Sequence, residues 1–342
     1  MFVRLSGLLL IAGLSSWECQ GWDYEGHRIV NQLALASLPT NFPAFVLTPE
    51  AKERVAFLAG EPDRWRNNSD LSHINAPDHF IDLDELDMYG VDMHALSPYR
   101  YDFVAQLALA RAGHPDKFPL IDPDQNRDHT RQLVGFLPWA IMENYNKLKS
   151  SFSYLKTFEK YGTPEEVANA QQDVLYIMGV MGHYVGDASQ PLHTTKYFNG
   201  WVGENPQHYT TAKIHSKVDG YFFKLDAAGL NEMKARIHPA QSLSATNGEG
   251  KSIDTFTQIE SYILEQHKQV EPLYKLEKEG KLFGEGEAIH DGKAFLTTQI
   301  IAGGQMLGNI WYSAWQQAAP DSYLRGTLEK RNAVHAGEAP KP

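Results

Sequence analysis

Between Thr163 and Gln190 the chain reads TPEEVANAQQDVLYIMGVMGHYVGDASQ. Thr163 is a helix cap, Pro164 suits the first helical position, and Glu165 and Glu166 follow in the first turn. The last two turns are almost wholly apolar, so this helix must be enclosed by others. His183 and Asp187 interrupt that apolar run and therefore point inward. A buried ionisable pair must be matched by a partner charge or by a metal. Any fold for this chain has to satisfy that pair.

A second His-x-x-x-Asp pair, His215 and Asp219, stands in KIHSKVDGYF. Four residues turn a helix by about 400°, so both members of each pair share a face. One such pair is ordinarily a surface hydrogen bond. Two pairs, one of them inside an apolar run, point to metal binding, since imidazole and carboxylate are both zinc ligands. SQPLH ends the long helix and folds His193 back toward it. LAGEPDRWRN offers Asp63 beside Trp65 and Arg66, and APDHFIDLD offers His79, Phe80 and Asp82. The one cysteine, Cys19, lies in the N-terminal apolar stretch, so sulfur plays no part in these groups.

Residues 1–21 read as a signal peptide. Arg4 supplies the positive start, LSGLLLIAGL the apolar centre, and CQG the small residues before cleavage. The run is too short to span a bilayer. The expectation is a secreted or periplasmic protein starting at Trp22. Residues 22–324 then form one domain, residues 85–130 an irregular insertion, and residues 325–342 a loose polar tail. Helical period dominates at 24–38, at 135–158 with a kink at Pro138, at 214–225 and at 291–318, so the fold class is mainly α. The net charge of −11 argues against tight, electrostatically driven nucleic-acid binding. Cleavage of nucleic acid stays open, because bound divalent cations change the local field.

Taken together, the motifs from Trp22 to His27, PDRWR, HFID, GHYVGDASQPLH, HSKVD and AGGQMLGNIW resemble the zinc-dependent S1/P1 nuclease family, whose fold is shared with bacterial zinc phospholipases C. The resemblance covers nearly all of the chain after residue 21, apart from 85–130 and the tail. It implies a helical bundle with a cleft for three zinc ions. One site takes Asp63, His79, His183 and Asp187, another takes His193, His215 and Asp219, and a third takes Trp22, His27 and the bridging Asp187. Trp22 would bind through its α-amine and carbonyl, so signal removal would create a ligand. The activity implied is hydrolysis of single-stranded DNA or RNA to 5′-phosphate products, extending to 3′-nucleotides. Arg66 would stabilise transition-state charge, Asp187 would bridge two metals, and Phe80 would stack on a base. Asp23, Lys213 and Val218 depart from the family pattern, which puts the substrate in question rather than the ligands. A zinc phospholipase C acting on membrane lipid is one alternative, and a non-enzymatic exported metal-binding protein is another. No stable protein partner is expected.

Overall fold

Thr163 accepts the Glu166 N–H while the Glu166 carboxylate accepts the Thr163 N–H, a reciprocal cap that starts the central helix α7, Pro164–Ser189. Fifteen of its residues are buried, including every one from Met178 to Ser189. The computed structural model describes residues 22–127, 129–222, 225–243, 245–246, 252–284 and 286–335. The expected signal segment lies outside the described residues.

The fold is mainly α, as its periodicity predicts. The first half carries α1 (Tyr24–Ser37), α2 (Pro49–Leu58), α3 (Glu61–Arg66), α4 (Ser72–Asn75), α5 (Arg100–Gly113) and α6 (Leu137–Tyr161). After α7 come α8 (His215–Asp219), α9 (Ala227–Lys234), α10 (Thr255–His267), α11 (Val270–Lys278), α12 (His290–Gln317) and α13 (Ser322–His335). Among the described residues, β structure is confined to isolated bridges and a two-residue antiparallel pair, Ala245–Thr246 with Ser252–Ile253. No described helix is long and apolar enough to cross a membrane.

α7 packs against α6, α1, α2 and α12, and close approach there depends on glycine. A Cβ on Gly182 would lie 1.6 Å from Asn31 Oδ1, and one on Gly186 would lie 2.9 Å from His27 Nδ1. α1 therefore settles directly onto the last turns of α7. That contact delivers His27 to the neighbourhood of Asp187.

Four expectations need correction. Pro138 occupies the first turn of α6, where its missing N–H is not needed, and makes no mid-helix kink. The helix expected over 214–225 is shorter, with α8 giving way to a 3-10 turn at Gly220–Phe222. The insertion is largely structured, because Phe103 of α5 stacks on Trp139 of α6 at 4.3 Å. Residues 325–335 are not loose. They belong to α13, docked by buried Leu328, by a bidentate Arg331–Glu166 pair and by Asn332 donating to the Tyr161 carbonyl. Residues 336–342 lie outside the described residues.

Candidate metal centre

The side chains of His183 and Asp187 lie one turn apart on α7, with His183 Nε2 3.3 Å from Asp187 Oδ2. Their helix ends at Gln190, and the 3-10 turn Pro191–Thr194 brings His193 back over it. His215 and Asp219 span the short α8, Nε2 to Oδ2 at 3.4 Å. Asp63 comes from α3, His79 from the end of the 3-10 turn Ala76–His79, and His27 from α1. All eight of these residues are buried, none more than 8% exposed.

They form three groups, each able to present ligand atoms within 4.8 Å of one another: His27, His183 and Asp187; Asp63, His79 and His183; and His193, His215 and Asp219. The third group has the same members as the set the resemblance implies, while the other two share His183, where the resemblance implies Asp187 as the bridge. Asp187 is central: Oδ2 lies 3.0 Å from His79 Nδ1, while Oδ1 lies 3.4 Å from His27 Nε2 and 3.7 Å from His193 Nδ1.

The outer bonds fix which ring nitrogens face inward. His183 Nδ1 donates to the Ala59 carbonyl at 2.7 Å, leaving the Nε2 lone pair toward the cluster. His193 Nδ1 donates to the His79 carbonyl at 2.6 Å, and the His215 ring bonds the backbone of Phe198. The Nε2 atoms of His193 and His215 then oppose each other at 3.0 Å, lone pair to lone pair. Only a proton or a cation between them relieves that repulsion. Burial drives the His193 pKa down to about 3 and lowers that of His215, which disfavours a shared proton. A cation fits.

The remaining atoms agree. His27 Nδ1 and Nε2, His79 Nε2, Asp187 Oδ1 and Asp219 Oδ2 are buried without a hydrogen bond. Each such atom costs about 1–3 kcal/mol if nothing else satisfies it. Burial also raises the pKa of Asp187 and Asp219 well above the usual carboxylate range, a cost that a bound cation reverses. Burial lowers His183 to about 4, so its ring keeps its lone pair at neutral pH. Nitrogen and oxygen donors without sulfur suit a divalent metal ion.

Arg66 is 6% exposed, and its Nη2 lies 2.9 Å from Asp63 Oδ1. Its charge helps lower the pKa of His27, His79, His183, His193 and His215. Its Nε makes no hydrogen bond. Phe80 is half-buried, in extended backbone next to His79, outside the buried core. Trp22 is fully buried rather than at the surface, its indole donating to Ser189 Oγ at 2.8 Å. Asp23 N donates to the Asp219 carbonyl at 3.2 Å, which holds the residues after Trp22 against α8.

Several supports were not singled out from sequence. Gln190 is buried and donates to Asp219 Oδ1 at 2.8 Å. Asp84 accepts from Thr195 Oγ1 and the Lys196 N–H and lies 3.4 Å from His267 Nε2, tying down the chain after His193. Asp78 pairs with Arg100 of α5, while burial outweighs that pairing and raises its pKa to about 6. The polar step in SQPLH hints at Gln190; nothing local marks the others, whose partners are distant in sequence or are carbonyls. The chain matches no family model and no curated protein.

Proposed function

We propose that this protein is a zinc-dependent phosphodiesterase that hydrolyses single-stranded nucleic acid and 3′-nucleotides. The observation that carries the reading is the apposition of three buried His/Asp groups around Asp187, with the His193 and His215 lone pairs facing each other. Asp63, His79, His183, Asp187 and His27 would hold two zinc ions, and His193, His215 and Asp219 a third. Zinc in such sites acts as a Lewis acid and lowers the pKa of water. The buried carboxylate of Asp187 keeps the two neighbouring groups in fixed register. Arg66 keeps Nη2 on Asp63 and offers Nε to charge developing on the phosphoryl oxygens. Phe80 supplies a ring beside His79 on which a base stacks, and stacking tolerates any base. Hydrolysis forms a bond from a water oxygen to phosphorus and breaks the bond from phosphorus to the 3′ oxygen, which takes up a proton. A phosphodiester leaves its phosphate on the 5′ carbon, and a 3′-nucleotide, a monoester, releases inorganic phosphate.

A second reading, phospholipase C on the same centre, is favoured by one specific observation. Tyr99, Tyr101, Val104, Leu109 and Leu120 are exposed in the lobe that Arg100 ties to Asp78, next to His79.

The test offers zinc-loaded protein single-stranded DNA, RNA, a 3′-mononucleotide and phosphatidylcholine side by side. Single strands should be cut well ahead of duplex, whose base faces are hidden and cost a few kcal/mol to unpair. Phe80→Ala should weaken productive binding of nucleotides by about 1–3 kcal/mol and spare a phosphodiester without a base. Arg66→Ala should slow both. Cleavage of phosphatidylcholine alone selects the second reading. Three bound ions with no turnover of any substrate select a non-enzymatic metal-binding protein.

A further inference from the structure

Gln190 closes the end of α7 and is fully buried. All four of its hydrogen-bonding groups are engaged. Its backbone N–H donates to the Asp187 carbonyl at 3.0 Å, and its carbonyl accepts from the His193 N–H at 2.9 Å. Its side-chain Oε1 accepts from the Leu192 N–H at 2.7 Å, while Nε2 donates to Asp219 Oδ1 at 2.8 Å. The backbone bonds would form with most residues at this place. The two side-chain bonds are what glutamine adds. They also fix the direction of the amide, because a flipped amide would set N–H against N–H and oxygen against carboxylate. The first bond shapes the 3-10 turn Pro191–Thr194 that presents His193. The second reaches Asp219, 29 residues further along the chain. With Oδ1 so held, the Asp219 carboxylate has one orientation. Its Oδ2 is then buried without a hydrogen bond, 3.4 Å from His215 Nε2, which itself opposes His193 Nε2 at 3.0 Å.

We propose that Gln190 is the positioning residue of the group His193, His215 and Asp219, and that its amide sets how tightly this one group holds its ion. The inference rests on the reading of the three groups as metal sites, not on which phosphodiester they act upon. Gln190 orders two of the three ligands before a cation arrives, one by its oxygen through Leu192 and one by its nitrogen directly. Without that order, each binding event would have to fix the carboxylate and the turn at a cost in conformational freedom. Among the described residues, its side chain makes no hydrogen bond to the other two groups, which it meets only through the backbone bond to Asp187. Its influence is therefore selective for one ion. Two substitutions separate its roles. Gln190→Glu keeps an oxygen for Leu192 and turns the other toward Asp219 Oδ1, where a donor is needed. Gln190→Met keeps the length of the side chain and loses both bonds.

The test is competition of the zinc-loaded protein with a chromophoric chelator, which ranks the affinities of the bound ions one by one. Cobalt substitution gives a second readout through its visible bands. Each variant should lose about 10–100-fold in affinity for one ion and leave the others as in wild type. The cobalt spectrum should lose one component of its intensity. On an Asp219→Ala background, Gln190→Glu should change the residual affinity of that group less than about twofold, because the residue it acts through is gone. Unchanged affinities in Gln190→Glu overturn the proposal. So does equal weakening of every ion together with a lower urea midpoint of the metal-free protein, since Gln190 would then be a structural helix end only. A full effect of Gln190→Glu on the Asp219→Ala background overturns it too. A wild type that holds no zinc overturns the metal centre and this inference with it. Ions held as expected with no turnover of any phosphodiester would count against the proposed activity and leave the role of Gln190 standing.

Discussion

Asp187 is the residue on which the centre turns. Its two oxygens lie 3.0–3.7 Å from nitrogens of His79, His183, His27 and His193. Asp187→Asn keeps the shape, removes the negative charge and presents an amide N–H where a lone pair is needed. It should lose more zinc than any other single substitution, whereas His193→Ala should lose one ion only. Metal analysis after chelation and zinc reconstitution checks both; full zinc in the Asp187→Asn variant would remove Asp187 from its bridging place. The spacing of His183 with Asp187 and of His215 with Asp219 was legible, because four residues on a helix fix a shared face. The partners that set the tautomers were not. The Ala59 and His79 carbonyls are backbone groups that any residue supplies, and tertiary contact alone brings them to His183 and His193.

At the scale of elements, the seat of α1 on α7 is held by absent side chains. Gly182→Ala would drive a methyl into Asn31, whose amide already donates to the Val55 and Gly179 carbonyls at 2.7 and 3.0 Å. Loss of about 1–3 kcal/mol is expected from such overpacking, read as a lower urea midpoint. Gly113→Ala, at the end of α5 with nothing within 4 Å, should be neutral or stabilise by up to about 1 kcal/mol. If the two variants behave alike, the close approach does not matter. Helix α13 escaped the sequence reading because it is polar nearly all round, with Leu328 its one buried residue and an ion pair to α7. The insertion escaped for the opposite reason: α5 has two apolar stripes, and their overlap blurs the period that marks an amphipathic helix. The Arg331 bond, helped by the Thr163 N–H, draws the Glu166 pKa down to about 2 from the ordinary 4.5. A depressed carboxylate contributes stability above its unfolded pKa and loses it as pH falls through the folded one. Protection of α13 should therefore fade between about pH 4.5 and pH 2, and Glu166→Gln should abolish that dependence. Hydrogen exchange across residues 322–335 measures it.

For the whole molecule, the centre is assembled from residues as far apart as His27 and Asp219, so every ligand group depends on the closed bundle. Trp22 extends that dependence to the first described residue. It is fully buried, its indole bonds Ser189 just beyond Asp187, its ring meets Phe222 edge-on at 5.4 Å, and Asp23 bonds the Asp219 carbonyl. These contacts pin the main chain of residues 22–23 between the end of α7 and the end of α8, where His27 Nδ1 and Nε2 still lack partners. A free α-amine there, with a pKa of about 7.7–8.0, has a lone pair to give near neutral pH. An amide nitrogen has none, because its electron pair is delocalised into the carbonyl. Protein beginning at Trp22 should therefore bind one more zinc ion than protein keeping Gly21, a Met or a tag ahead of it. The longer form should turn over phosphodiesters far more slowly while unfolding at a similar denaturant concentration when both are stripped of metal. Zinc content and turnover are measured on the two forms in parallel. Equal zinc and equal turnover would show that the Trp22 amine is not a ligand, and His27 would then need another partner for its ring nitrogens.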